Sequence, residues 1–112
     1  MKSLLFLLAL IPVHSSERPD LDNWFENLHS EKGACCSFVD GMAIEDVNWE
    51  SHDGNYRVRL PREKGGHELI WVDVPDDAVI KQPNLYGRAI VWPLYKGASR
   101  PFIRCFIPGT MT

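Results

Sequence analysis

The chain has 112 residues and a net charge of −3 at pH 7, from 12 basic and 15 acidic side chains. This length suits a single domain. The acidic balance argues against nucleic acid and against an anionic membrane surface as partners, because both are bound through clustered lysine and arginine side chains.

The first 16 residues have the pattern of a signal peptide. Lys2 supplies a positive charge, residues 4–11 form an uninterrupted apolar run, and small residues precede a cleavage site after Ser15 or Ser16. The run is shorter than the roughly 20 apolar residues that cross a bilayer, although an uncleaved anchor is the alternative. We therefore predict one small domain over residues 17–112, in the periplasm or outside the cell, with no membrane attachment after cleavage.

An amphipathic helix is predicted over residues 20–31. Asp20 can accept hydrogen bonds from the first backbone amides, and Gly33 follows the last turn, where glycine is common. One apolar stripe recurs at helical spacing and is expected to pack against the core, through Leu21, Trp24, Phe25 and Leu28.

About five short strands are predicted after the helix. Asp53-Gly54 is the clearest hairpin turn, and Pro93 indicates a bulge or an edge position in the fourth strand. No connection is long enough for a crossover between parallel strands. The predicted fold is mainly β, a small antiparallel meander or SH3-like barrel with the helix covering an open face or end. The predicted strands are residues 42–49, 56–60, 67–74, 88–95 and 102–107.

The chain has three cysteines, Cys35, Cys36 and Cys105. In an oxidising compartment three cysteines allow one bridge and leave one thiol over. A bridge within the adjacent pair would be strained, so we predict a bridge from the pair to Cys105, which on the chain-entropy model stabilises by up to ~4 kcal/mol. We favour Cys36–Cys105 with Cys35 as a free thiol, and Cys35–Cys105 is the alternative.

Several short motifs resemble a pattern in short exported proteins of alphaproteobacteria, namely Asn23-Trp24-Phe25, Leu28, Gly33, Cys35-Cys36, Trp71-Val72-Asp73-Val74-Pro75 and Cys105-Phe106. In that family the cysteine pair is usually followed by an Asp-Cys, where this chain has Asp40-Gly41. The resemblance implies a framework of four cysteines and two bridges that has lost one cysteine here. The family has no assigned activity, so the resemblance implies location and fold but no chemistry.

A thiol-redox or metal-binding protein that uses Cys35 with a nearby histidine is the alternative to a structural disulfide. The candidate histidines are His29, His52 and His67. Adjacent cysteines converge poorly on a tetrahedral metal, and the chain lacks the Cys-x-x-Cys spacing of redox sites. We therefore expect no metal and no cofactor. No catalytic constellation is evident, because Asp76-Asp77 follows a proline and is typical of a turn.

The last strand offers a candidate binding surface. Phe102, Arg104 and Phe106 share one face by alternation, and Trp92 lies on the preceding strand. If exposed, these side chains would form an aromatic platform with a cation, suited to a protein, peptide or glycan partner. If the helix covers this face, it is core. The sequence therefore favours a non-enzymatic binding or structural protein.

Overall fold

A computed structural model describes residues 11–12, 19–35, 41–97 and 100–110 of the chain. The one α-helix in this part of the chain, α1, spans Asp22–Glu26 and follows a 3-10 turn at Pro19–Leu21. Two further 3-10 turns lie at Asp46–Asn48 and Asp76–Ala78. The strands are β1 Ile11–Pro12, β2 His29–Ser30, β3 Gly33–Ala34, β4 Met42–Ile44, β5 Trp49–His52, β6 Asn55–Pro61, β7 Leu69–Val74, β8 Ala89–Leu94 and β9 Phe102–Ile107.

The described strands form three antiparallel sheets. One sheet has the order β1-β4-β8-β9, the second is the meander β5-β6-β7, and the third is the two-residue hairpin β2-β3. The prediction of a mainly β, antiparallel fold with one N-terminal helix is therefore confirmed. The described strands close no barrel, because β4 pairs with β8 in a sheet separate from the β5-β6-β7 meander.

The helical segment is shorter than the predicted range of residues 20–31. It ends at Glu26 because the following residues turn into the β2–β3 hairpin, in which His29 pairs with Ala34. Phe25 and Leu28 are still buried, as the apolar stripe predicts. The stripe therefore marks the buried side of the segment correctly, although only part of it is helical.

The two faces of the β1-β4-β8-β9 sheet pack against different partners. Its inner face meets the β5-β6-β7 meander in a cluster that includes Val58, Val72, Val91 and Phe106. Its opposite face is covered by the N-terminal helical segment and hairpin, in a cluster of Phe25, Leu28, Cys35, Ala43, Ile80, Ile90, Trp92, Cys105 and Ile107. A chain of this size thus buries a central sheet on both sides.

A bulge in the β8–β9 pair decides which way the last strand's side chains point. Trp92 pairs with Cys105, whereas Pro93 pairs with Ile103, so Arg104 is the extra residue. Proline removes a ladder hydrogen bond, which is why a bulge is tolerated there. The bulge predicted at Pro93 is confirmed. It shifts the alternation, and Ile103 and Cys105 consequently lie in different core clusters.

The Asp53-Gly54 turn between β5 and β6 has the predicted form. His52 pairs with Asn55, and both central residues have positive φ, 54° at Asp53 and 82° at Gly54. Positive φ at both positions matches the right-handed twist of the strands.

Among the described helices, none has the length and apolar character needed to cross a bilayer.

Candidate functional site

A disulfide joins Cys35 to Cys105, with the Cα atoms 5.7 Å apart. Both residues are fully buried. The predicted link from the cysteine pair to Cys105 is confirmed, but the choice of Cys36 as its partner and of Cys35 as a free thiol is wrong, because Cys105 forms one disulfide and its partner is Cys35. Cys35 is held in place by its amide, which donates to the Leu28 carbonyl at 3.0 Å. Cys36 lies outside the described residues.

Arg104 fastens the β2–β3 hairpin to β9 beside the disulfide. Its Nε donates to the Ala34 carbonyl at 2.8 Å, and its own carbonyl accepts a bond from the Ser30 hydroxyl at 2.9 Å. Its guanidinium also lies where a side chain at Gly33 would begin, 2.8 Å from an ideal Cβ. Gly33 has φ of 120°, a conformation that favours glycine. The main role of Arg104 is therefore structural, because its hydrogen bonds hold the β2–β3 hairpin against β9.

Two members of the predicted binding surface belong to the core instead. Phe106 is fully buried, and its ring centroid lies 5.8 Å from that of Trp49 and 5.4 Å from that of Tyr56. Trp92 is 1% exposed and packs in the same cluster as Phe25. The candidate surface therefore loses these two side chains, and the alternative of core packing is confirmed for them, because the bulge and the two covering layers bury them.

Phe102 and Arg104 remain at the surface and line a small groove. Phe102 is 55% exposed, and the Lys96 Nζ lies 5.3 Å from its ring centroid. Lys32, from the turn between β2 and β3, also lines the groove. The groove has a volume of about 170 Å³, and its lining residues are Lys32, Leu94, Lys96, Phe102, Ile103 and Arg104.

The groove is cationic although the chain is acidic. Lys32, Lys96 and Arg104 contribute three positive charges, and no acidic residue is among the described residues that line it. Lys32 reaches out of the groove to Asp77, with an Nζ to Oδ1 distance of 3.3 Å, and both side chains are partly exposed. Solvent screens such a pair, so it holds Lys32 only weakly.

A tyrosine hydroxyl holds the β8–β9 hairpin, which carries Lys96, against the meander. The Tyr95 hydroxyl donates to the Pro61 carbonyl at 2.7 Å. Burial raises the pKa of Tyr95 above its ordinary value, because the phenolate would lose solvation. Tyr95 therefore stays neutral at physiological pH and keeps its donor, which fixes the side of the groove that Lys96 occupies.

Sequence patterns could identify neither of the two lysines that line the groove. Lys32 follows the predicted helix by one position, and Lys96 sits in a turn, so each fits an ordinary solvated position. They meet at Phe102 only because the β2–β3 hairpin is bonded to β9 and because β8 pairs with β9.

The alternative prediction is a thiol-redox or metal-binding protein that uses the thiol of Cys35. The structure gives Cys35 no free thiol. Cys35 is bonded to Cys105 and buried, so no thiolate is available from it. His29 Nδ1 lies 3.2 Å from the Asn27 carbonyl oxygen, and His52 contacts Asp53 at an exposed turn. Within residues 19–35, 41–97 and 100–110, no three histidine, cysteine, aspartate or glutamate side chains are grouped to hold a metal.

Comparisons with protein-family models, with curated proteins and with solved structures gave no match to this chain.

Proposed function

We propose that this protein is an exported, non-enzymatic binding protein whose cationic groove holds an acidic peptide segment of a partner protein. The observation that carries the proposal is the half-exposed Phe102 ring among Lys32, Lys96 and Arg104. Aromatic and arginine side chains that stay accessible in a rigid frame are typical of recognition sites.

The chemistry of the groove favours an acidic peptide over a neutral glycan. Cations attract carboxylates, and they offer little to an uncharged sugar. The volume of about 170 Å³ accommodates one side chain or a chain terminus rather than a whole small molecule. An acidic residue flanked by an apolar one would place its carboxylate near Lys32 and Lys96 and its apolar group on Phe102.

Phe102 supplies most of the apolar energy available to this contact. A phenylalanine side chain buries roughly 200 Å² when fully covered, and covering the 55% that is now exposed contributes up to ~2.5 kcal/mol. Each exposed lysine adds ~0.5 kcal/mol to an ion pair at moderate salt. The expected affinity is therefore modest and depends on Phe102 more than on any single charge.

Export is supported by the leader pattern and by the disulfide. Lys2 with the apolar run at residues 4–11 is typical of secretory signals, and a buried disulfide persists in oxidising compartments. We place the mature protein in the periplasm or outside the cell, in keeping with its resemblance to short exported alphaproteobacterial proteins. Sequencing the N-terminus of the secreted protein tests this, and a first residue of Ser16 or Glu17 is expected.

The binding proposal is tested with a fluorescent tetrapeptide of three glutamates and one phenylalanine, titrated with the full chain. Fluorescence polarisation is expected to show saturable binding that weakens about tenfold in Phe102→Ser and about threefold in Lys96→Gln. The matched controls are Leu85→Ser, since Leu85 is also 55% exposed, and Lys64→Gln in an exposed loop.

Raising the salt concentration to 0.5 M is expected to remove the effect of Lys96→Gln, because exposed ion pairs are screened at high ionic strength. A tetrapeptide with lysines in place of the glutamates is expected not to bind in the groove, so Phe102→Ser is expected to leave its signal unchanged. Equal weakening of both peptides by Phe102→Ser, or an equal loss in Leu85→Ser and Phe102→Ser, would contradict the proposal.

A further inference from the structure

The outermost described strand of the central sheet belongs to the predicted leader. β1 pairs antiparallel with β4, with Ile11 opposite Ala43 and Pro12 opposite Met42. Cleavage after residue 15 or 16, which is the export step of the proposed function and on which this inference rests, removes β1 from the protein. The processed protein then has β4 at the end of this sheet, and an edge strand offers its free N–H and C=O groups to another strand.

Ala43 is the residue that loses backbone partners when β1 is removed. In an antiparallel pair, opposite residues alternate between pairs that exchange both backbone hydrogen bonds and pairs that exchange none. Proline has no N–H, so Pro12 and Met42 cannot be a bonded pair, and the bonded pair is that of Ile11 and Ala43. Removal of β1 therefore frees one donor and one acceptor, both on Ala43.

The edge that remains is held rigidly. All three residues of β4 pair with β8 on the other side. The Ala43 side chain is fully buried in the cluster beneath the N-terminal helical segment, and that of Ile44 is fully buried in the cluster against the meander. β4 is thus fixed from both faces, and an incoming strand meets a pre-organised template, which lowers the entropic cost of binding.

A buried donor beside the same edge supplies a second observation. Trp92 is 1% exposed, and its Nε1 lies 2.8 Å from an ideal Cβ at Gly41, the residue that precedes β4. Among the described residues, none accepts a hydrogen bond from this Nε1. β1 ends opposite Met42, one position short of Gly41, whereas a longer strand on this edge would run past Gly41 and bring a backbone carbonyl towards the indole. An unsatisfied buried donor is stabilised by such an acceptor.

We infer that the processed protein binds, along the edge of β4, an extended apolar segment of a partner protein that begins with a basic residue. Apolar leader residues occupy this edge in the full chain, since β1 lies at the end of the apolar run of residues 4–11. Glu45 follows β4, and continuing the β1 register places it opposite the residue two positions before Ile11. A lysine or arginine at that position of the partner would face the Glu45 carboxylate. Main-chain bonds give such an edge its affinity, and side chains at fixed positions give it selectivity.

Glu45 is available for this contact and favours a partner protein over a second copy of the chain. Its side chain is more than half exposed, and its ion pair with Arg88, at 3.6 Å, joins two exposed side chains. Solvent screens such a pair, so it holds Glu45 only weakly. Two copies that paired through β4 about Ala43 would place Gly41, which has no charge, opposite Glu45.

The exported protein, after N-terminal sequencing has established its processing, is titrated with the capped pentapeptide Lys-Leu-Ile-Pro-Val. This probe keeps leader residues 10–13 and carries lysine at the position opposite Glu45. Saturable amide shifts are expected at Ala43, together with a shift of the Trp92 indole N–H. The full chain, which retains the leader, is expected to bind about tenfold more weakly or less, because β1 occupies the edge.

Two backbone-methylated peptides test the strand pairing. N-methylation of the isoleucine removes the donor that faces Ala43 and is expected to weaken binding about tenfold or more. N-methylation of the leucine is the matched control, because the alternation of the ladder points its N–H away from β4, and it is expected to weaken binding by about threefold at most.

Two charge variants test the basic residue of the partner segment. Glu45→Gln is expected to weaken binding of the pentapeptide about threefold at low salt. Glu63→Gln removes one charge from an exposed loop that is not part of the central sheet, and it is expected to leave binding unchanged.

The inference is overturned by the absence of saturable shifts, by equal binding to the processed protein and to the full chain, or by equal effects of the two methylations. Dimerisation of the processed protein that the pentapeptide reverses would also overturn it, because the edge would then belong to a second copy. An exported protein that keeps residues 11–12 has its edge covered and overturns the inference without affecting the groove. Phe102→Ser is expected to leave binding of this peptide unchanged, so failure at one site does not count against the other.

Discussion

Removal of the Cys35–Cys105 disulfide is expected to cost a large fraction of the stability. The bridge spans a sequence separation of 70 residues. For a loop of this length the chain-entropy model gives ~4 kcal/mol at 25 °C. The total free energy of unfolding of a small domain is on the order of 5–15 kcal/mol. The double variant Cys35→Ala/Cys105→Ala is therefore expected to be folded only marginally.

Urea denaturation of the oxidised protein measures this loss. With an m value of ~1.3 kcal/mol/M, a loss of ~4 kcal/mol lowers the urea midpoint by ~3 M. Cys36→Ala is the matched control, because it removes a cysteine and leaves the bridge between Cys35 and Cys105 intact. Its midpoint is expected to fall much less than that of the double variant, because the cross-link between Cys35 and Cys105 is retained.

Thiol counting and peptide mapping under non-reducing conditions check the connectivity independently. One thiol that reacts after denaturation is expected in the unaltered chain, and none in Cys36→Ala. A midpoint for the double alanine variant equal to that of the unaltered chain would refute the energetic reasoning. A cross-linked peptide containing Cys36 and Cys105 from the unaltered chain would refute the assigned connectivity.

Three further substitutions test the packing and polar contacts. Gly41→Ala places a Cβ 2.6 Å from the buried Trp92 ring, and urea unfolding should show a loss of ~1–3 kcal/mol. Asn84→Asp removes two donors, which now bind backbone carbonyls at 2.8 and 2.9 Å; unfolding should show a loss of ~2 kcal/mol at pH 7 that shrinks below the carboxyl pKa. The pKa of Tyr95 is raised on folding, so its contribution is present below pH ~10 and is lost at higher pH. Tyr95→Phe should lose ~1 kcal/mol at pH 7 and show a weaker fall in stability above pH 10 than the unaltered chain.

Local features of the fold could be predicted where local chemistry determines them. The Asp53-Gly54 turn needs positive φ at both residues, which this pair adopts readily, and both have it. Pro93 cannot donate to a ladder, and the bulge lies there. Each prediction depends on the backbone preferences of one or two residues, so no tertiary context was needed.

The pairing of β4 with β8 left no local signal in the sequence. Met42 and Val91 are 49 positions apart in the chain, and alternation within each segment does not name the partner strand. For the same reason, the sequence did not predict that both faces of the central sheet are covered. Phe106 was therefore placed on a candidate surface by alternation alone, whereas the bulge at Arg104 turns it towards Trp49 and Tyr56.

The candidate groove was predicted in part for a related reason. Phe102 and Arg104 could be identified because they lie two residues apart on one strand. Lys32 and Lys96 could not, because they reach the groove through the hairpin contact with β9 and through the β8–β9 turn.

The position of β9 sets the order in which this chain can fold. Residues 102–107 contribute to both core clusters and carry Cys105, so both clusters need a strand that is synthesised after all the other described strands. Neither face of the central sheet can be completed before they emerge, because folding of such long-range contacts waits for loop closure. Neither core cluster nor the Cys35–Cys105 disulfide can therefore be completed before β9 has been synthesised.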